Sequence, residues 1–139
     1  MYQDNIPLPH PDLWIDLTRR YVTAAVQALE SGGLKVDRSW LDPRDPRDAT
    51  IVYSHPEIGG LRALVWDEVT GWRHGSFIHG RQGIRTGLSG VAYLGGGVLP
   101  GGADLLARLQ GQISEPRREH RSIADLRDGL DDALANRFS

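Results

Sequence analysis

Residues 61–113 constrain the fold more than any other stretch, because they supply both a sheet and something to cover it. The runs LRALVWD and WRHGSFIH stand on either side of Glu68, Val69, Thr70 and Gly71. Two strand-like runs this close in sequence form an antiparallel hairpin. A third run over 84–94 carries Gly87 and Gly90, where a bulge or bend is expected. Pro100 then opens a helix whose Leu105, Leu106, Leu109 and Ile113 fall on one side, and Gly111 weakens it near the end.

The rest of the chain packs onto that unit. Leu13, Trp14, Leu17, Tyr21, Ala24, Ala25, Ala28 and Leu29 recur every three or four residues, Asp12 and Asp16 suit the positive end of a helix dipole, and Gly32 and Gly33 stop the run. The spacing predicts an amphipathic helix over about 12–31. Alternating apolar residues then predict strands at 34–41 and 49–54. Between them lies DPRDPRD, residues 42–48, whose two Asp-Pro steps predict an extended, exposed link. A calcium loop is the other reading of its carboxylates, but Arg44 and Arg47 neutralise them and the ligand spacing is wrong.

The 139 residues suit one domain, and a chain of this size buries roughly 68% of its unfolded surface. We therefore expect an extended arm at 1–10, one α+β domain at 11–113 and a charged helical extension at 114–139. Ile123, Leu126, Leu130, Leu134 and Phe138 make a narrow apolar stripe on that extension, which must rest on its own domain or on a second copy. There is no cysteine, so disulfides and thiolate chemistry are excluded. A net charge of -2 argues against general binding to nucleic acid or anionic membrane. The start MYQDNIPLPHPD lacks the pattern of a secretory signal, and no run approaches ~18 apolar residues, so a cytoplasmic protein without a membrane segment is expected.

Four short motifs carry a family likeness: LVWDE at 64–68, Gly71-Trp72, YLGG at 93–96 and Val-Leu-Pro at 98–100. With the helix bearing Tyr21-Val22, they resemble an uncharacterised family of small actinobacterial proteins, a domain of unknown function, over roughly residues 12–112. The resemblance implies the fold but no activity. Gly97 departs from the acidic or polar residue expected there, and the tail from Ser114 reads as an extension.

Chemistry is harder to read. Trp66 and Trp72 straddle the hairpin turn, where such side chains bury ~150–250 Å² each and clamp a sheet to a helix; the alternative is an aromatic-lined pocket for a planar ligand. No carboxylate falls between Glu68 and Asp104, whereas Arg73, His74, His79, Arg81, Arg85 and eleven of the seventeen glycines do. Converging, these would form an anion site, since arginine forks match phosphate or carboxylate oxygens. Splayed over a wet sheet face, the arginines would instead pair with carboxylates of the tail helix. Gly95, Gly96 and Gly97 before the helix suit a phosphate loop only weakly, without a Walker lysine.

Asp67, Glu68, His74, Ser76, His79 and His55 are the residues with catalytic chemistry, but no nucleophile-base pair and no metal-ligand spacing emerges. Asp67 and Glu68 are expected to cap the turn. No catalytic residue, cofactor or metal is assigned, and the reading leans away from an enzyme. Expected first is a regulatory or adaptor module that contacts a protein partner or itself as a homodimer, through the tail or an edge strand. An anion-binding module or small enzyme for a phosphate- or carboxylate-bearing metabolite comes second, with Arg73, Arg81 and Arg85 as clamps. A DNA-associated accessory protein comes third, because Glu115 and Glu119 dilute the basic cluster PRREHR.

Overall fold

A computed structural model describes residues 5–42, 46–57, 59–81, 84–121 and 128–137. The chain is α+β. Helices α1 (Leu13–Asp16) and α2 (Arg19–Ser31) precede strands β1 (Lys35–Asp42), β2 (Asp48–Ser54), β3 (Arg62–Asp67), β4 (Gly71–Arg81) and β5 (Ile84–Tyr93), followed by α3 (Gly102–Gln110) and α4 (Leu130–Arg137). The strands form one antiparallel sheet in the order β1-β2-β3-β4-β5.

The expected first helix is broken in two. Asp12 caps α1 by accepting from the Trp14 amide at 2.9 Å, and α2 restarts after Thr18, whose hydroxyl donates to the Ile15 carbonyl at 2.8 Å. The break reorients the first turn: Ile15 enters the core, while Leu13 stays 83% exposed. Beyond it, Tyr21, Val22, Ala25, Val26 and Leu29 of α2 pack on the sheet face formed by Leu41, Ala49, Ile51, Tyr53, Leu64, Trp66 and Trp72. Such spacing is what makes one helix face apolar. α3 joins the same core through Leu105 and Leu109.

The opposite face has its own small cluster. Trp40, Val52 and Ala63 lie under Phe77 and Leu88 of the long β4–β5 hairpin. That hairpin curls far enough for the Thr86 hydroxyl to meet the Thr50 hydroxyl at 2.7 Å. Irregular pairing produces the curl: His74 pairs with Ala92 but Ser76 with Ser89, so one extra residue enters β5 beside Gly90, at φ 63°. Glycine accepts that left-handed backbone without strain.

The β3–β4 turn is the knot of the structure. Trp66 and Trp72 are directly paired across it and both are 0% exposed. Their indole N–H groups are spent inward: Trp66 donates to the Val98 carbonyl at 2.7 Å, and Trp72 to the Tyr21 hydroxyl at 3.0 Å. Tyr21 in turn donates to the Pro100 carbonyl at 2.7 Å. The two tryptophans thus tie the hairpin to α2 and to the segment entering α3. Gly71 closes the turn at φ 80°, where an added Cβ would lie 2.4 Å from the Gly97 carbonyl oxygen.

Two expectations fail near this knot. The described ends of the link between β1 and β2 are not exposed, since Asp42 and Arg47 are each 1% exposed; residues 43–45, Arg44 among them, lie outside the described residues. Glu68 does not cap the turn. Asp67 does so alone, accepting from the amides of Val69 at 2.8 Å and Thr70 at 2.7 Å. Glu68 is buried and holds two arginines. Arg47 grips it with a fork, Nε to Oε2 at 3.0 Å and Nη2 to Oε1 at 3.1 Å, and Arg121 Nη1 bonds Oε1 from the other side. Arg47 also lies 4.4 Å from the centre of the Trp14 ring and donates to the Trp14 carbonyl at 3.0 Å. Buried charges are tolerated only when paired in this way.

The same network fastens the tail in cis. Arg47 bonds Asp131, and Arg121 bonds Asp128 at 2.8 Å. Leu130 and Leu134 complete the main core, the His120 amide donates to the Val69 carbonyl at 2.8 Å, and Glu115 pairs with the end of β5. Ile123, Leu126 and Phe138 of the expected stripe lie outside the described residues. At the other end, Ile6 packs against the core and the Asn5 carbonyl accepts from the Ser39 hydroxyl at 2.8 Å.

Candidate functional site

Two cavities open on opposite faces of the sheet. On the helix face, Tyr53 and His55 from the end of β2, Arg62 from β3, His74 and Ala92 from β4 and β5, and Leu34, Leu109, Gln110 and Gln112 surround about 730 Å³. Strand register builds this grouping. Tyr53 pairs with Arg62, Leu64 pairs with His74, and Arg62 therefore lies diagonally across from His74.

The hydrogen bonds inside this cavity all run one way. Arg62 Nη2 lies 3.3 Å from His74 Nδ1, and Nη1 lies 3.4 Å from the Ser76 hydroxyl. The Arg62 charge also acts on the Tyr53 hydroxyl. Every one of these acceptors is neutral, and among the described lining residues there is no carboxylate. Arg62 is half-buried, so its charge is incompletely solvated as well as unpaired. Burial, then the Arg62 charge, lowers the pKa of His74, keeping the ring neutral with Nδ1 as acceptor and Nε2–H as donor. His55 Nδ1 accepts from the Glu57 amide at 3.1 Å, which leaves its Nε2–H free to donate too. Burial first, opposed by Arg62, pushes the Tyr53 hydroxyl above its ordinary value, so it keeps its proton. The rim includes Gln112, whose φ of 53° makes it the one non-glycine residue at positive φ among those described. Backbone in that region is uncommon outside glycine, asparagine and aspartate.

The second cavity, on the face away from the helices, encloses about 740 Å³ and is lined by Asp48, Asp67, Thr70, Arg73, Arg85 and Tyr93, with Arg117 and Glu119 from the tail. Asp42, Asp48 and Asp67 are direct neighbours across β1, β2 and β3. Asp67 holds Arg73 at 2.9 Å. Asp48 is pushed up to about 8 by burial, by the Asp42 charge and by a hydrogen bond shared with Asp42, with Arg73 opposing and Asp67 adding to the rise. Among the described residues, no group of three His, Asp or Glu side chains is arranged to hold a metal ion.

The five residues expected to form one anion site are therefore dispersed. His74 faces the first cavity, and Arg73 and Arg85 face the second. Arg81 and His79 line neither, and the His79 ring lies against Gly87, where an added Cβ would sit 2.7 Å from Nε2. Trp66 and Trp72 are buried and line neither cavity. Among the described tail carboxylates, Asp131 pairs with Arg47 and Asp128 with Arg121, and neither pairs with a β4–β5 arginine. Arg62 was not singled out in the sequence, although the hairpin register alone places it diagonal to His74.

A family model described as "Family of unknown function (DUF6292)" matches residues 21–111, about two-thirds of the chain. The chain belongs to this family. The matched span takes in α2, the whole sheet and α3, and so includes Arg62, His74 and the tryptophan-flanked turn, while the docked tail follows it. No curated protein and no solved structure matches the chain. No helix among the described residues is long and apolar enough to cross a membrane.

Proposed function

We propose that this chain is a binding module for a small organic anion, held at the cavity of Arg62, His74, His55 and Tyr53. The observation that carries the reading is the half-buried Arg62 guanidinium, which bonds neutral acceptors only and faces a cavity whose described lining has no carboxylate. A phosphate or carboxylate would accept from Arg62 and from the Nε2–H groups of the two histidines, and charge-assisted bonds of this kind are about twice as strong as neutral ones. Leu34, Ala92 and Leu109 offer apolar wall for the remainder of the ligand. The arrangement supplies recognition and no nucleophile, so the proposal is of binding and not of catalysis.

A phosphate monoester with an apolar group serves as probe. Phenyl phosphate should bind with saturable heat, more tightly than inorganic phosphate. Arg62→Ala should weaken it by roughly ten- to hundred-fold, since loss of a charged hydrogen-bond partner costs about 1.5–3 kcal/mol. Arg73→Ala, on the other face, should leave it unchanged. Equal affinity in the wild type and in Arg62→Ala would remove the proposal.

A second reading, self-association, is favoured by the outer edge of β5. This ten-residue edge strand is paired at Tyr93 by Glu115, but along the rest of its outer edge it carries the exposed Ile84 and Val91, and such a strand edge is a template for a second chain. Sedimentation should then give a dimer that Val91→Lys converts to a monomer. A wild-type monomer at high concentration would end this reading.

A further inference from the structure

The cavity on the other sheet face holds both signs of charge, and most of them are already spent. Arg73 is bound by Asp67 at 2.9 Å and Arg117 by Glu119 at 3.3 Å. Two groups are not. Asp48 Oδ1 is buried with no hydrogen-bond partner among the described residues, and Arg85 makes no ion pair with any of them. Both line the same cavity. A buried carboxyl oxygen without a donor is costly, and the half-buried Asp48 reaches the cavity wall with the rest of its side chain.

The mixture restricts the ligand. A simple anion entering here meets the charges of Asp67 and Glu119, and a simple cation meets Arg73, Arg85 and Arg117. A molecule carrying both charges on neighbouring atoms satisfies each side. We propose that this cavity is a second binding site, taking a small zwitterion such as a free α-amino acid, with Asp48 receiving the ammonium group and Arg85 the carboxylate. The Thr70 and Tyr93 side chains on the same wall offer hydroxyl groups to either end.

Proton release marks the event. Asp48, pushed up to about 8 by burial first and by Asp42 second, is mostly protonated at neutral pH, with Asp67 reinforcing and Arg73 opposing that state. Arg85, Arg117 and Glu119 face the same space from β5 and the tail. An ammonium group docking on Asp48 stabilises the carboxylate and expels the proton.

Calorimetry on the full chain at neutral pH, in two buffers of different ionisation heat, tests this with a panel of free α-amino acids and their N-acetyl and amide derivatives. Saturable binding of at least one free amino acid with proton release is expected, and both blocked forms should bind at least roughly ten-fold more weakly. Asp48→Asn should abolish the proton release and weaken binding. Arg85→Gln, a change at an exposed residue that leaves the fold intact, should weaken binding and spare the proton release. Arg62→Ala should alter neither, which separates this site from the anion cavity. The proposal is overturned if no free amino acid gives saturable heat, if the blocked forms bind equally well, or if both Asp48→Asn and Arg85→Gln bind like the wild type.

Discussion

Glu68→Ala should cost about 3–5 kcal/mol in urea denaturation, the range for removing one partner from a buried charge cluster. Its carboxylate accepts from Nε and Nη2 of Arg47 and from Nη1 of Arg121, and the two arginines are 1% and 8% exposed. Without it, two guanidinium groups remain buried, paired on the tail side with Asp131 and Asp128, both partly open to solvent. Because those same aspartates belong to the tail, the loss should appear first as detachment of α4. Limited proteolysis within residues 116–137 should therefore accelerate before the domain unfolds. Glu68→Gln, which keeps the shape and one acceptor, should lose less. A cost for Glu68→Ala below about 1 kcal/mol, the scale of an exposed ion pair, would mean that the cluster does not hold the tail.

Asp48→Asn should stabilise the protein at alkaline pH and do little in acid. The Asp48 carboxyl sits at about 8 in the folded chain against an ordinary 3.8, through burial first and the Asp42 charge second. The folded state thus keeps a proton that the unfolded chain gives up above pH 3.8, and it binds more protons between the two values. Stability must then be fullest below that window and decline as pH rises towards 8. Asparagine carries no proton to lose, so the variant should gain on the order of a few kcal/mol over wild type above that window. Thermal melts of both proteins from pH 5 to pH 9 measure it. Parallel curves for the two across that range would show that Asp48 ionises freely.

Local patterns made the sheet and helices legible. Alternating apolar residues located the strands to within a residue or two at most ends, and Gly90 did mark a bulge. What periodicity could not show was where charges would be buried. Arg47 reads as a loop residue after two Asp-Pro steps, and only the long-range approach of Glu68, from the far side of β2, draws it inward. The same holds for the helix break at Thr18: Leu13 and Trp14 fit a helical stripe, yet Ile15 is the residue the core takes. The candidate anion site was half legible. His74 stood out as a histidine in a strand, whereas Arg62 drew no notice because the residues around it, Tyr53, His74 and Ser76, are neutral and come from two other strands. Counting charge along β4 and β5 grouped Arg73, His74, His79, Arg81 and Arg85, but alternation of side chains across a curled hairpin sends them to different places.

The proposed site requires an anion to meet the Arg62 charge, which the described residues leave unneutralised. Nitrogen-15 NMR of the wild-type protein, following the Arg62 Nε–H and the His55 and His74 rings during a phenyl phosphate titration, tests it most directly. Saturable shifts at those three side chains, with Arg73 and Arg85 unmoved, are the predicted result. Shifts confined to Arg73 and Arg85, or none at Arg62 at saturating ligand, would contradict it.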